Sequence, residues 1–167
     1  MLDFWIIIFS ATIIQGCILS LALYKKARRS TKSVYYLSSL ILLFSLTLAN
    51  YLIFWLGLFD KAHLVFNLLL QLPLLFGPFL YAYFSLREQK TDLRLELHYL
   101  PFLLAIIARL LTDLSSLNLN FWIVILQITQ LGSYAVFFLL KKRKKTELSL
   151  SLTFTAFALS FLTYYIL

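Results

Sequence analysis

Six runs of apolar residues, each long enough to cross a bilayer as a helix, constrain this chain more than any other feature. A hydrocarbon core near 30 Å takes about 20 helical residues. The runs cover about Phe4–Tyr24, Val34–Phe59, His63–Leu86, Leu97–Leu114, Leu119–Leu140 and Leu148–Leu167. They are too continuous for barrel strands, which alternate with period two over about ten residues. The predicted fold is therefore all-α: a single integral membrane domain, residues 1–167, built as a bundle of six transmembrane helices. Composition decides against a water-soluble alternative. With 62% hydrophobic and 13% charged residues and a mean hydropathy of +0.88, there is more Leu, Ile and Phe than a globule of this size can shield. A cytosolic enzyme, a secreted disulfide scaffold and a disordered tail are all excluded on this ground.

Charge placement predicts the orientation. Of 15 Lys and Arg residues, Lys25, Lys26, Arg28, Arg29 and Lys32 fill the first loop, and Lys141, Lys142, Arg143, Lys144 and Lys145 fill the fifth. Arg87, Lys90 and Arg94 lie in the third, whereas the second has only Lys61 and the fourth none. By the positive-inside rule the odd-numbered loops face the cytoplasm and both termini lie outside. The two basic clusters then meet anionic lipid headgroups, which leaves no role for direct nucleic-acid contact. Met1-Leu2-Asp3-Phe4-Trp5 has neither a basic start nor a small-residue cleavage site, and is expected to begin a retained first span. Cys17, the one cysteine, excludes an intrachain disulfide and a cysteine-based metal site.

Buried ionisable groups mark chemistry in a bilayer because they are costly there, and few are present. No span pairs Glu, Asp or His. His63 and His98 fall near predicted helix ends, and no carboxylate dyad, Ser/His/Asp set or phosphate-binding glycine loop occurs. The expectation is a protein without enzymatic activity, metal or cofactor. Neutral polar residues carry more information. Asn67 and Gln71 follow one helical face toward Pro78, while Gln127, Gln130 and Tyr134 share a face of the fifth span. These residues line a small ligand cavity or simply join helices by hydrogen bonds. Gln15 and Asn50 are further candidates for the same cavity. Arg109 either snorkels to the interface and pairs with Asp113 four residues on, or lines an outward cavity and meets an anionic ligand. Pro73, Gly77 and Pro78 predict a kink in the third helix that serves as a conformational hinge. Ser149, Thr153, Ala156, Ser160 and Thr163 give the sixth helix a small-residue face suited to packing, to a homodimer or to a separate partner. No such face is evident on the first helix.

The segment Leu72-Pro73-Leu74-Leu75-Phe76-Gly77-Pro78-Phe79-Leu80-Tyr81-Ala82-Tyr83, followed by His98-Tyr99-Leu100-Pro101-Phe102, resembles the N-terminal multi-helix membrane domain of bacterial AraC-type transcriptional regulators. In that group a Gly-Pro-aliphatic-Leu-Tyr-x-Tyr run closes a third helix, and a His-x-x-Pro-Phe run opens a fourth. The basic ending of the fifth helix, Leu139 to Lys145, is similar too. The resemblance implies a bacterial inner membrane and a sensory or signalling role. It also implies a continuation through a further helix to a cytoplasmic helix-turn-helix region, which these 167 residues do not include. Two functions are expected from this reading: a non-enzymatic membrane-embedded sensor of a small or lipidic ligand, or the substrate-binding membrane subunit of a vitamin-type transporter. A pure helix-packing helper is a third.

Overall fold

The computed structural model describes residues 2–27, 32–58, 67–88, 95–114 and 119–140, together with 152, 153 and 156. The described residues are almost entirely helical: α1 (Leu2–Ala27), α2 (Lys32–Trp55), a 3-10 turn (Leu72–Leu75), α3 (Phe76–Arg87), α4 (Leu95–Leu114) and α5 (Asn120–Leu140). Four stretches are long and apolar enough to cross a membrane: Phe4–Ala27, Lys32–Trp55, Asn67–Arg87 and Asn120–Leu140. The expected fourth span is a 20-residue helix that carries Glu96, His98, Arg109 and Asp113. Most of the sixth run lies outside the described residues, as do Arg28, Arg29, Lys61, His63, Lys90, Arg94 and Lys141 to Lys145. Of the small-residue face on that run, only Thr153 and Ala156 are described, both helical.

Two compact units divide the chain, residues 1–106 and 107–167. In the first, α1 and α2 form an antiparallel hairpin, because their contacts run in opposite directions along the sequence. Tyr24 meets Tyr35, Ser20 meets Ser38, and Phe9 meets Trp55. The 26 residues of α1 span about 39 Å at the usual helical rise, more than a bilayer core needs. Lys25, Lys26 and Lys32 therefore emerge together at one end, exposed, where they suit the lipid-headgroup role expected of them. Trp5, Phe9 and Trp55 gather at the other end. From Trp5 to Tyr24 is roughly 28 Å along the helix, which sets two aromatic belts at the spacing of two membrane interfaces.

Small residues let the hairpin close. The Ser20 hydroxyl donates to the Ser38 carbonyl at 2.9 Å, and the Ser38 hydroxyl donates to the Ser20 carbonyl at 2.8 Å. A Cβ placed on Gly16 would overlap the Ser45 hydroxyl, and Ala27, the last residue of α1, is buried. Gly16 and Ser20, one turn apart, thus form a small-residue face of α1 that α2 covers. Between like-sized apolar helices in lipid, such close approach and interhelical hydrogen bonding supply what burial from water supplies elsewhere.

On α2, Ser38 and Ser45 are seven residues apart and share the face turned to α1. Leu40, Leu43, Thr47 and Asn50, spaced three, four and three, form a second buried stripe on the opposite side. The segment 72–87 packs against α2 here, with Phe76 stacked on Phe44 at 4.4 Å and Phe79 edge-on to Tyr36 at 5.9 Å. These pairs run antiparallel, so the C-terminal end of α3 lies at the lysine-bearing end of the hairpin. Gly57 ends the preceding helix in the left-handed region, φ +67°. The Leu58 amide donates to Ile53 and the Gly57 amide to Phe54, the double closure that a glycine at this position permits.

Geometry changes along the third span. Residues 67–69 are helical, a turn follows, and Leu72–Leu75 forms a 3-10 turn that leads into α3. Pro73 explains the change of geometry. It has no N–H to give to the carbonyl four residues back, and it disfavours α geometry at Leu72. Pro78 sits in the first turn of α3, where amide donors have no intrahelical role to lose.

Candidate functional site

Break and stripe together put neutral polar side chains inside the first unit. Asn67, Gln71, Thr47 and Asn50 are all buried, Gln71 to 1% exposure and Asn50 to 3%. Asn50 lies six residues beyond Phe44 on α2, and Gln71 lies five residues before Phe76, so both are on the side of that ring stack away from the lysines. Pro73 and Leu74 are buried as well.

Hydrogen bonding within this group is uneven. The Thr47 hydroxyl donates to the Leu43 carbonyl at 2.9 Å, so it satisfies itself on its own helix. The Gln71 amide nitrogen reaches the Asn67 carbonyl at 3.4 Å, which joins the two third-span candidates. The Gln71 carbonyl accepts from the Leu74 amide at 3.1 Å and starts the 3-10 turn. Asn50 differs: its Oδ1 is buried without a hydrogen bond. An unbonded buried amide costs about 1–3 kcal/mol by mutational measures, and membrane interiors supply no water to offset it. Gln15, the other proposed addition, is exposed on α1 and takes no part in this region.

In the second unit, Gln127, Gln130 and Tyr134 do share a face, as their spacing predicts. Ile123, Gln127, Gln130, Leu131, Tyr134, Ala135 and Phe138 are the buried residues of α5, one continuous helical stripe. Tyr134 stacks on Phe138 at 6.0 Å. Arg109 is not part of that stripe. It stands on α4, half-buried, and donates to the Asn120 side-chain oxygen at the start of α5; the side chain of Asp113, its expected partner, lies outside the described residues. Thr112 completes the connection: its hydroxyl donates to the Ala108 carbonyl at 2.9 Å and accepts from the Leu119 amide at 3.3 Å. Arg109 therefore helps hold the α4–α5 turn. The six ligand candidates fall into two groups, Asn67 and Gln71 in one unit, and Gln127, Gln130, Tyr134 and Arg109 in the other.

The two halves of the Gly-Pro and His-Tyr motif meet in space. Tyr81 lies against His98 with ring centroids 4.6 Å apart, and Phe79 is edge-on to Tyr99 at 5.7 Å. Tyr36 touches Phe79 from the other side, so a run of rings, Tyr36–Phe79–Tyr99, ties α2, α3 and α4 together at the lysine-bearing end. Arg87 donates to the Tyr83 hydroxyl at 3.2 Å. Spacing alone could not reveal these pairs, because they join residues 17 and 20 positions apart. Pro73, Gly77 and Pro78, the hinge candidates, are all buried. Comparison with protein-family models, with curated proteins and with solved structures returns no match.

Proposed function

We propose that this chain is a non-enzymatic sensory or signalling domain of a bacterial inner membrane, crossing it six times with both ends outside. On this reading it binds a small or lipidic ligand at the broken third span and passes its occupancy to the cytoplasmic loops. One observation carries it: a helix interrupted at Pro73 with Asn67, Gln71 and Asn50 buried beside the interruption. Buried uncharged amides beside a 3-10 segment are less favourable as scaffolding than an unbroken α-helix, and they are what a recognition site for a polar group needs. The aromatic run from Tyr36 to Tyr99 supports a route from that site to the loops, since it ties the N-terminal end of α2 to α3 and α4. The resemblance to the membrane part of AraC-type regulators agrees with this role, through the residues that form the aromatic contacts. Direct DNA contact belongs to a separate region or partner.

A vitamin-type transport subunit is the second reading, favoured by the interrupted helix, which transporters use for substrate and ion sites. Against it, the small-residue face of α1 that could dock an energising partner is occupied by α2. The test uses a Cys17→Ser background in nanodiscs, with spin labels at Lys26→Cys and Arg87→Cys. An organic extract of bacterial membranes should shift the distance between the labels, and Pro73→Ala should change that shift without changing insertion. A distance indifferent to the extract refutes the sensory reading, whereas solute accumulation in proteoliposomes supports the transporter. Thiol reagents added from one side should label Lys26→Cys and Leu58→Cys from opposite faces.

A further inference from the structure

We infer that Asn50 is the anchor of the ligand site, and that the ligand is an uncharged amphiphile whose head carries a hydrogen-bond donor beside an acceptor, as a primary carboxamide does. This rests on the sensory reading and narrows it. Asn50 is 3% exposed, and its buried Oδ1 has no partner. It belongs to the stripe of α2 that faces the 72–87 segment, not the stripe closed by Ser20 and Ser38. The hydroxyl on the same stripe turns back onto its own helix, Thr47 donating to Leu43.

Chemistry sets the ligand class. A side-chain amide presents one donor edge and one acceptor edge in a plane, and another amide-like group complements both. Among the described residues every buried polar side chain is neutral, so a charged head would enter without a counter-ion and be disfavoured. Asn50 is five residues from Trp55, roughly 8 Å inside the aromatic belt at the end opposite the lysines. That depth is where the head of a molecule entering from that leaflet would sit slightly below the interface.

The experiment measures binding of oleamide, N,N-dimethyloleamide and methyl oleate to the full chain in phosphatidylcholine nanodiscs, by native mass spectrometry and by thermal unfolding followed through tryptophan fluorescence. The wild type should bind oleamide saturably, and the dimethyl amide and the ester, which lack the donor, about tenfold more weakly. Asn50→Leu should lose about tenfold in oleamide affinity and leave methyl oleate unchanged. Its ligand-free unfolding temperature should be at or above that of the wild type, which separates lost recognition from misfolding. Oleamide binding untouched by Asn50→Leu, equal binding of all three probes, or no saturable binding would each overturn the inference. Those results leave the loop-distance measurement to decide the sensory reading independently.

Discussion

Gly16 offers the sharpest test of the helix hairpin. A Cβ at this position would overlap the Ser45 hydroxyl oxygen and come within 3.3 Å of the Ser45 Cβ. The hydroxyl is not free to swing aside without loss, because it donates to the Ile41 carbonyl at 3.0 Å. Gly16→Ala therefore forces either a new Ser45 rotamer, at the expense of a bond worth about 1 kcal/mol, or a small separation of α1 from α2. Overpacking of this kind costs about 1–3 kcal/mol, and the better helix propensity of alanine returns at most about 1 kcal/mol. The net expectation is a loss of about 1–2 kcal/mol. Ser45→Ala alone should be close to neutral, since it removes a bond made to its own helix. In the double variant the overlap with the hydroxyl disappears and only the 3.3 Å carbon contact remains, so most of the loss should be recovered. The assay is reversible unfolding in mixed micelles, followed by tryptophan fluorescence, with Trp55 packed on Phe9 as a reporter of the hairpin. Gly16→Ala at wild-type stability, or a loss that persists in the Ser45→Ala background, would refute the close-approach argument.

Two further predictions concern the same helices. Ser20→Ala and Ser38→Ala each remove one of the two reciprocal bonds, and a double-mutant cycle should return a coupling of about 1 kcal/mol; additive losses in unfolding would show that the pair does not act together. Gly57→Ala should destabilise by about 1–2 kcal/mol, because its backbone is left-handed and nothing within 4 Å resists the new methyl group. Gly57→Asn should lose less, so equal losses for the two substitutions would point away from backbone conformation as the cause.

Much of this architecture was legible as hydropathy. The ends of α4 and α5 fall within two residues of the expected spans, because a run of Leu, Ile and Phe has few options in lipid other than a helix. The shared face of Gln127, Gln130 and Tyr134 followed from period alone. What period could not supply was the partner of each face. Gly16 and Ser20 were present as a small-residue pattern, but its meaning depended on Ser38 and Ser45 in the next helix. Likewise spacing within one helix could not point from Arg109 to Asn120, which belongs to the next. Pro73 marks a place where α geometry is disfavoured, but not how the freed backbone is taken up, here by a 3-10 turn begun at Gln71.

Polar side chains in this protein divide by whether they can satisfy themselves. Thr12 donates to Ile8, Ser45 to Ile41, Thr47 to Leu43 and Thr112 to Ala108, each to the carbonyl four residues back. A hydroxyl has one proton and a short reach, so a helix in lipid can carry many at little expense and without specifying a neighbour. An amide has two donors and an acceptor, and its own helix cannot meet them all. Amides therefore demand something outside their helix, and where they are placed is where the fold commits to a partner. Gln71 uses part of its capacity on the break at Pro73. Asn50 uses none of its acceptor. An unbonded buried amide lowers stability, and a head group that bonded to it would recover that energy, so the same residue gives the protein a reason to discriminate between ligands.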